Sequence, residues 1–252
     1  MSGATDIAAL LAETGGLDAA GLLAWAARRF AGRIALASSL SVEDQALTDM
    51  LAAVRPAVPI FTLDTGRLPQ ETHDAIDATR ARYGVRIEAL CPDAAVLEDM
   101  LAQHGTNSFY ASVENRKRCC RIRKVLPLQR RLATLDAWIT GLRREQAATR
   151  ADVRRIEWDD ANGLVKINPL ADWTTDQVWD YVRSNHVPYN RLHDRGYPSI
   201  GCAPCTRAVA PGGDIRSGRW WWEQAEGGHK ECGLHVVDGK PVRKGKVTHG
   251  ST

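Results

Sequence analysis

Residues 34–44 read Ile-Ala-Leu-Ala-Ser-Ser-Leu-Ser-Val-Glu-Asp, and this stretch decides the fold class. Its first four residues are apolar, which predicts a short buried strand. A serine-rich turn follows, and then a helix that continues to about Val54. Ser41 and Asp44 have the spacing of a capping box, so we expect Ser41 to begin that helix. The stretch is therefore a strand–turn–helix unit, the repeating element of α/β folds.

Strand and helix patterns continue to alternate along the chain. Further strands are predicted over residues 58–63, 85–90, 136–140 and 164–167, and helices over about 69–83 and 95–104. Thr174 and Gln177 form another capping-box signature, ahead of a helix that should stop before Pro188. The alternation predicts an α/β fold with a doubly wound, mostly parallel sheet.

Bulk composition limits the function classes. The 252 residues are 44% hydrophobic and 25% charged, as in a globular protein with a core, and the net charge of +3 does not indicate a nucleic-acid partner. No apolar run approaches the ~20 residues that span a membrane. The N-terminus predicts one or two amphipathic helices, broken at Gly15-Gly16, and not a secretory signal. We therefore expect a reducing, cytoplasmic location, where six cysteines indicate metal binding or thiol chemistry.

Three predicted strand ends carry residues that suit an anionic ligand. Ser38, Ser39 and Ser41 offer hydroxyls and helix N-terminal N–H groups after the first strand. Arg67 follows Gly66 after the second strand, and Gly141 precedes Arg143 after the fourth; each Gly permits close approach and each Arg is an oxyanion donor. Each motif alone is typical of an ordinary turn. Three at one sheet edge predict a binding site.

The acidic residues beside the serine turn are unfavourable toward an anion. Glu43 and Asp44 are expected to cap the helix or to face away from the ligand.

Four cysteines form two close pairs. Cys119 and Cys120 are adjacent, and Cys202 and Cys205 enclose two residues. Four converging thiolates bind zinc or an iron–sulfur cluster. Adjacent helical side chains diverge by ~100°, which separate irons accept more easily than a single ion does, so the spacing favours iron–sulfur over structural zinc. A thioredoxin-type dithiol at the second pair lacks the surrounding strand–helix pattern.

Basic residues follow the adjacent cysteines at helical spacing. Arg123 lies four residues after Cys119, and Lys124 lies four after Cys120, so each cation would share a helix face with a thiolate. Lys124 would then link the cysteine site to a substrate electrostatically; a solvated lysine is the alternative.

Cys232 stands apart in a glycine-rich segment, which indicates an exposed thiol. A thiolate with cations nearby is a competent nucleophile, and His235, Arg216 and Arg219 are candidates for those cations. The two arginines would also clamp a sulfate or phosphate. An incidental thiol is the alternative, and Cys91, at a strand end, is interpreted as a packing residue.

Four motifs together carry a family resemblance. They are Cys119-Cys120-x-x-Arg123-Lys124, Gly201-Cys202-x-x-Cys205, Arg216-x-x-Arg219 and Glu231-Cys232-Gly233-Leu234-His235. Over residues 33 to 240 the chain resembles assimilatory adenylyl-sulfate (APS) reductase, of the phosphoadenylyl-sulfate reductase family. The resemblance implies an adenine-nucleotide α-hydrolase (PP-loop) fold. It divides the chain into a nucleotide-binding α/β domain with the cluster site, residues 1–205, and a loop-rich catalytic tail of the same domain, residues 206–252.

The resemblance also implies an activity in sulfate assimilation and cysteine biosynthesis. Cys232 would attack adenosine 5'-phosphosulfate (APS), leaving AMP and an S-sulfocysteine, from which thioredoxin or a glutaredoxin-like dithiol releases sulfite. The residues implied for the site are a [4Fe-4S] cluster on Cys119, Cys120, Cys202 and Cys205, with Lys124, Arg216, Arg219 and His235 at the sulfate and Ser38, Ser39, Ser41, Arg67 and Gly141 at the nucleotide.

Alternatives remain at this point. The substrate could carry a 3'-phosphate (PAPS). A tRNA sulfur transferase would be expected to show Ser-Gly-Gly-x-Asp-Ser at the first turn, which residues 38–44 lack. A zinc-stapled binding module is the non-enzymatic alternative, and the metal would distinguish it. The oligomeric state, a homo-oligomer included, stays open.

Overall fold

A computed structural model describes residues 6–147, 150–223, 236–237 and 240–241. Its central sheet has six strands: β1 Ile34–Ala37, β2 Ile60–Leu63, β3 Ile87–Leu90, β4 Ala137–Ile139, β5 Ile156–Asp159 and β6 Leu164–Ile167. Their order across the sheet is β3-β2-β1-β4-β6-β5. Neighbouring strands are parallel except β5 and β6, which are antiparallel. The predicted α/β class with a mostly parallel sheet is confirmed.

Eight α-helices are described between and around the strands. They are α1 Ile7–Thr14, α2 Ala19–Arg29, α3 Val42–Ala52, α4 Gln70–Tyr83, α5 Ala94–His104, α6 Val113–Cys120, α7 Leu126–Leu132 and α8 Thr175–Ser184. Shorter elements are a π-helical turn at Arg121–Val125, 3-10 turns at Ser108–Tyr110, Arg144–Gln146, His193–Arg195 and Ala203–Cys205, and a ribbon of β7 Val236–Val237 with β8 Lys240–Pro241. Among the residues described, no helix combines the length and apolarity needed to cross a membrane.

Helix boundaries follow from their capping residues. The side chain of Thr174 accepts from the N–H of Gln177, and the side chain of Gln177 accepts from the N–H of Thr174, so the predicted capping box of α8 is confirmed. The helix ends at Ser184, before Pro188, as predicted. Two N-terminal helices separated around residues 15–18 are also confirmed. Sequence analysis missed β5, whose four residues form an edge strand on β6.

The core lies on both faces of the sheet, because successive strand residues point to opposite sides. On one face, Ile34 and Leu36 of β1 pack with residues of α2, α3 and α8. On the other, Ala35 packs with Trp138 and with Leu128 of α7. Strand β1 pairs with β2 on one side and with β4 on the other, which makes this the switch point of the sheet. Ligands of such sheets bind beyond the carboxyl ends of these strands.

Candidate active site

A cavity of about 770 Å³ opens beyond the carboxyl ends of β1, β2 and β4. Eight of the candidate residues predicted from the sequence line it: Ser38, Ser39, Ser41, Lys124, Gly141, Arg143, Arg216 and Arg219. Its volume suits a nucleotide-sized ligand, since pockets for small molecules measure about 300–1,000 Å³. Arg67 does not line this cavity.

The serine loop is held by Asp44. One carboxylate oxygen, Oδ2, accepts from the backbone N–H of Ser39 at 2.6 Å, from the Ser39 hydroxyl at 2.7 Å and from the Ser41 hydroxyl at 3.3 Å. Ser41 is the N-cap residue of α3, as predicted, but its side chain makes no capping bond. The predicted capping box is therefore wrong in detail: Asp44 reaches back past the cap to the loop.

The close packing of Asp44 against the end of β4 requires glycine at position 141. A Cβ atom at residue 141 would lie 2.4 Å from Asp44 Oδ1 and 2.9 Å from the Cβ of Glu43. The close approach that the sequence predicted is therefore present, but it joins the end of β4 to the first turn of α3.

Arg143 is not available to a ligand as an oxyanion donor. Its Nε and Nη2 donate to Glu43 Oε1 at 3.1 and 2.9 Å, and both side chains are buried. Nη1 donates to Glu145 and to the carbonyl of Trp173. Glu43 was expected to cap the helix or to face away from an anionic ligand. Its side chain instead forms an ion pair with Arg143.

Arg67 lies on the other side of its loop, beside the cysteines. Its guanidinium donates to the carbonyl of Thr106 and sits 4.9 Å from the ring centre of Phe109. Its own carbonyl accepts from the N–H of Ala203 at 2.8 Å. The structure thus places Arg67 beside the cysteines and not in the cavity where the nucleotide is expected, because the loop after β2 turns toward the Cys-x-x-Cys segment.

All four paired cysteines line one small second cavity. Cys119 and Cys120 come from the end of α6, and Cys202 and Cys205 from the loop after α8. Cys120, Cys202 and Cys205 are buried in a cluster with Phe109 and Trp220. Within the described part of the chain, no group of three or more His, Cys, Asp or Glu is arranged to hold a metal ion.

The electrostatics of this cavity differ between its thiols. The pKa of the Cys205 thiol is raised to about 12, first by burial and then by repulsion from the neighbouring thiols of Cys202 and Cys120. Burial also acts to raise the pKa of Cys202, but Lys124, the Thr65 hydroxyl and Arg219 outweigh it and the pKa is lowered. Thr65 Oγ1 lies 3.3 Å from Cys202 Sγ. Four clustered thiols repel one another as thiolates, so the donor set fits a positively charged inorganic group.

Lys124 lines both cavities. It belongs to the π-helical turn that follows Cys120, in which the N–H of Leu126 bonds to the carbonyl of Arg121. Such wide turns occur mostly at functional sites. Arg123, in the same turn, hydrogen-bonds the carbonyl of Thr65 at 2.6 Å and interacts with Cys119. Arg123 thus interacts with the cysteine four residues before it, as predicted, whereas Lys124 acts on the thiols of Cys202 and Cys205.

Residues after 205 pack onto the cysteine cavity. Arg116, one helical turn before Cys119 and Cys120, donates from Nε to Glu223 Oε1 at 2.7 Å and from Nη2 to Oε2 at 3.1 Å. The Arg116 side chain is buried and that of Glu223 is 10% exposed, and the guanidinium lies 4.5 Å from the ring centre of Trp220. The predicted domain boundary at residue 205 stays a prediction.

Arg219 fits against Gly201. A Cβ at residue 201 would lie 2.2 Å from Arg219 Nη2, so only glycine leaves room for this buried side chain.

Cys232 and His235, predicted as nucleophile and cation, lie outside the described residues. No role was predicted for Thr65. Arg116 belongs to the run of basic residues around the adjacent cysteines, and its spacing of four residues to Cys120 is the signal that indicates its position.

Comparison with known proteins identifies the family. Residues 33–208 match the model of the phosphoadenosine phosphosulfate reductase domain. The chain is 54% identical over 202 residues to the adenosine 5'-phosphosulfate reductase of Allochromatium vinosum, covering 80% of this chain and 78% of the relative. It is 52% identical over 210 residues to the enzyme of the same name from Burkholderia cepacia, covering 83% of each chain.

Solved structures agree with this fold. Phosphoadenylyl-sulfate reductase from Candida auris, in a phosphate complex, superposes with a TM-score of 0.69 at 27% identity, over 83% of this chain and 98% of that one. Yeast FAD synthetase bound to FAD superposes with a TM-score of 0.51 at 15% identity, over 82% of this chain and 70% of that one, and shares the fold alone. The resemblance predicted from the cysteine and arginine motifs is confirmed: this chain belongs to the phosphoadenosine phosphosulfate reductase domain family.

Proposed function

We propose that this chain is an oxidoreductase that converts adenosine 5'-phosphosulfate to sulfite and AMP, with Cys232 as nucleophile and a dithiol protein of the thioredoxin type as reductant. The observation that carries the proposal is the sharing of Lys124 between a nucleotide-sized cavity and a four-cysteine cavity. The names of the bacterial relatives support the substrate without a 3'-phosphate.

The chemistry balances in two steps. The Cys232 thiolate attacks the substrate sulfur, an S–S bond forms, and the bond from sulfur to the phosphate oxygen breaks to release AMP. A thiolate of the reductant then attacks the Sγ atom of the S-sulfocysteine, displaces sulfite and forms a mixed disulfide with Cys232. The second thiol of the reductant restores the Cys232 thiol and leaves the reductant as a disulfide.

The described residues supply charge and shape for this reaction. A thiolate attacking a sulfate ester meets like charge, which cations near the reacting atoms offset. Lys124, Arg216 and Arg219 line the cavity and would supply positive charge for that purpose. Trp220, which is 1% exposed, lines both cavities.

Cys119, Cys120, Cys202 and Cys205 would hold a [4Fe-4S] cluster. A cluster places each thiolate on a different iron, which suits four thiols that share a cavity without converging on one ion. When bound, it would supply structural order and a local field, with electrons coming from the dithiol. Arg116 and Arg123 lie against these cysteines and would stabilise their ionised form.

The activity is tested with anaerobically purified protein, thioredoxin and its reductase. Rapid sulfite release from adenosine 5'-phosphosulfate, and little from the 3'-phosphorylated nucleotide, is the expected result. Preference for the 3'-phosphorylated nucleotide would correct the substrate, and no sulfite from either, with iron retained, would refute the reductase function.

Two variants test the residue assignments. Cys232→Ser should retain iron and bind AMP but form no S-sulfo adduct detectable by intact-protein mass spectrometry; full sulfite formation would refute its role. Cys205→Ser should lose iron and the cluster absorbance. Cys91, which the sequence predicted as a packing residue, is instead exposed and lies outside both cavities, so Cys91→Ser should lose neither. Colourless protein with stoichiometric zinc would support the zinc alternative.

A further inference from the structure

Asp44 is a buried carboxylate at an unusual place for negative charge. It is 5% exposed, lies in the first turn of α3, and lines the cavity proposed to bind a nucleotide. Glu43 beside it is occupied by Arg143 and by Gln146. The three hydrogen bonds that the Asp44 carboxylate accepts, in contrast, all come from Ser39 and Ser41.

The bonds to Asp44 fix the polarity of both hydroxyls. A serine hydroxyl has one proton and two lone pairs. Since Ser39 and Ser41 direct their protons to Asp44 Oδ2, each oxygen presents lone pairs to the cavity that it lines. These oxygens can accept from ligand N–H or O–H groups, such as those of adenine and ribose. They cannot donate to a phosphate or sulfate oxygen, contrary to what the sequence suggested for the serine turn.

The loop between the two serines is under strain. Leu40, fully buried, has a φ of +59°, a left-handed conformation that bulky residues rarely adopt. Its N–H is held by the Ser38 hydroxyl at 3.2 Å, and Asp44 holds the residues on either side of it. Strain of this kind persists where surrounding contacts impose it, and it concentrates at binding sites.

We propose that Asp44 is a positioning residue for nucleotide binding, which in its ionised form turns Ser39 and Ser41 into hydrogen-bond acceptors for the nucleoside part of the ligand. The inference rests on the proposed function for the identity of the ligand. It further implies that Asp44 serves binding at the expense of stability, because a buried carboxylate favours its protonated form.

The raised pKa of Asp44 shows that its ionised form is unfavourable in the folded protein. Burial, and to a smaller degree the charge of Glu43, raise its pKa to about 6, against the lowering effect of the Ser39 and Ser41 bonds. A raised folded-state pKa means that the folded protein binds more protons than the unfolded chain between about pH 4 and 6, so this contribution to stability declines as pH rises through that range. Other charged groups nearby are Arg143, which is held by Glu43, and His193, whose pKa burial lowers.

The experiment compares Asp44→Asn with Asp49→Asn. Asp49 lies on the same helix and is bound by the hydroxyls of Tyr83 at 2.8 Å and Tyr181 at 2.6 Å, but it does not line the cavity. Affinity for AMP is measured by calorimetry, thermal midpoint at pH 7 by circular dichroism, and kcat and KM by sulfite release.

Asp44→Asn is expected to weaken AMP binding at least about tenfold, which corresponds to the loss of one hydrogen bond accepted by a serine oxygen, and to raise KM by a larger factor than it lowers kcat. Its thermal midpoint at pH 7 should equal or exceed that of the wild type. Asp49→Asn should lower the midpoint and leave AMP affinity unchanged. Between pH 5 and 7 the AMP affinity of the wild type should rise relative to that of Asp44→Asn.

Two results would overturn the inference: AMP affinity of Asp44→Asn within about twofold of wild type, or a loss of affinity that accompanies a lowered midpoint, as a purely structural role requires. A wild type that binds AMP but releases no sulfite would refute the proposed function and leave this inference standing. A wild type that releases sulfite but does not bind AMP would overturn this inference and leave the proposed function standing.

Discussion

Replacing Arg143 with methionine should destabilise the protein strongly. The Arg143 side chain is 3% exposed and that of Glu43 is 9% exposed, and two bonds of 2.9 and 3.1 Å join them. Methionine preserves the stem but leaves the Glu43 carboxylate buried, with the amide of Gln146 as its remaining described donor at 2.9 Å. Breaking a buried pair from one side costs about 3–5 kcal/mol.

This loss is a large part of the free energy of unfolding of a domain, which is usually about 5–15 kcal/mol. At about 2–4 °C per kcal/mol for a protein of this size, the midpoint should fall by roughly 6–20 °C. Urea unfolding followed by far-UV circular dichroism measures the change. The double variant Glu43→Met/Arg143→Met should be more stable than Arg143→Met, because it removes the stranded charge along with its partner.

The exposed pair Arg33–Asp136 is the matched control. Its two side chains are 56% and 53% exposed, although Nε lies only 2.6 Å from Oδ2. Solvent screens such a pair, so Arg33→Met should shift the midpoint far less. An Arg143→Met protein within about 1 kcal/mol of wild type, or a double variant as unstable as the sum of both single changes, would refute the reasoning.

Three further changes test other contacts. Gly201→Ala places a Cβ 2.2 Å from Arg219 Nη2 and should raise KM for adenosine 5'-phosphosulfate about tenfold with iron retained; an unchanged KM would contradict the assigned contact. Lys124→Met should retain iron but lower sulfite formation at least about 100-fold, and a loss explained by missing iron would contradict its role between the cavities. Thr174→Ala removes one bond of a capping box and should cost about 1 kcal/mol in urea without changing sulfite release, whereas no change in stability would show that Gln177 alone secures the helix start.

Local pattern was enough for most of the fold. The strands predicted at residues 34–37 and 164–167 have the observed bounds, because continuous apolar runs between turns have few other stable conformations. Strand β5 escaped prediction because its mixed sequence, Ile-Glu-Trp-Asp, becomes a strand through pairing with β6. An edge strand is defined by its partner, which single-sequence patterns do not contain.

The sequence by itself determined which residue types meet at the site: two cysteine pairs, their following cations, and the serine and glycine turns at strand ends. It did so because these motifs have fixed spacings on elements whose carboxyl ends converge in a parallel sheet. Family membership followed from the same motifs.

Only the tertiary structure decided which partner each polar group takes. Arg143 is bound by Glu43, Arg67 faces the cysteines, and Asp44 orients the serine hydroxyls. These pairings join residues far apart in sequence, such as Glu43 and Arg143, or depend on the direction in which a loop turns. Hydrogen-bond direction and burial arise when the elements pack together, so the spacing of residues along the chain cannot specify them.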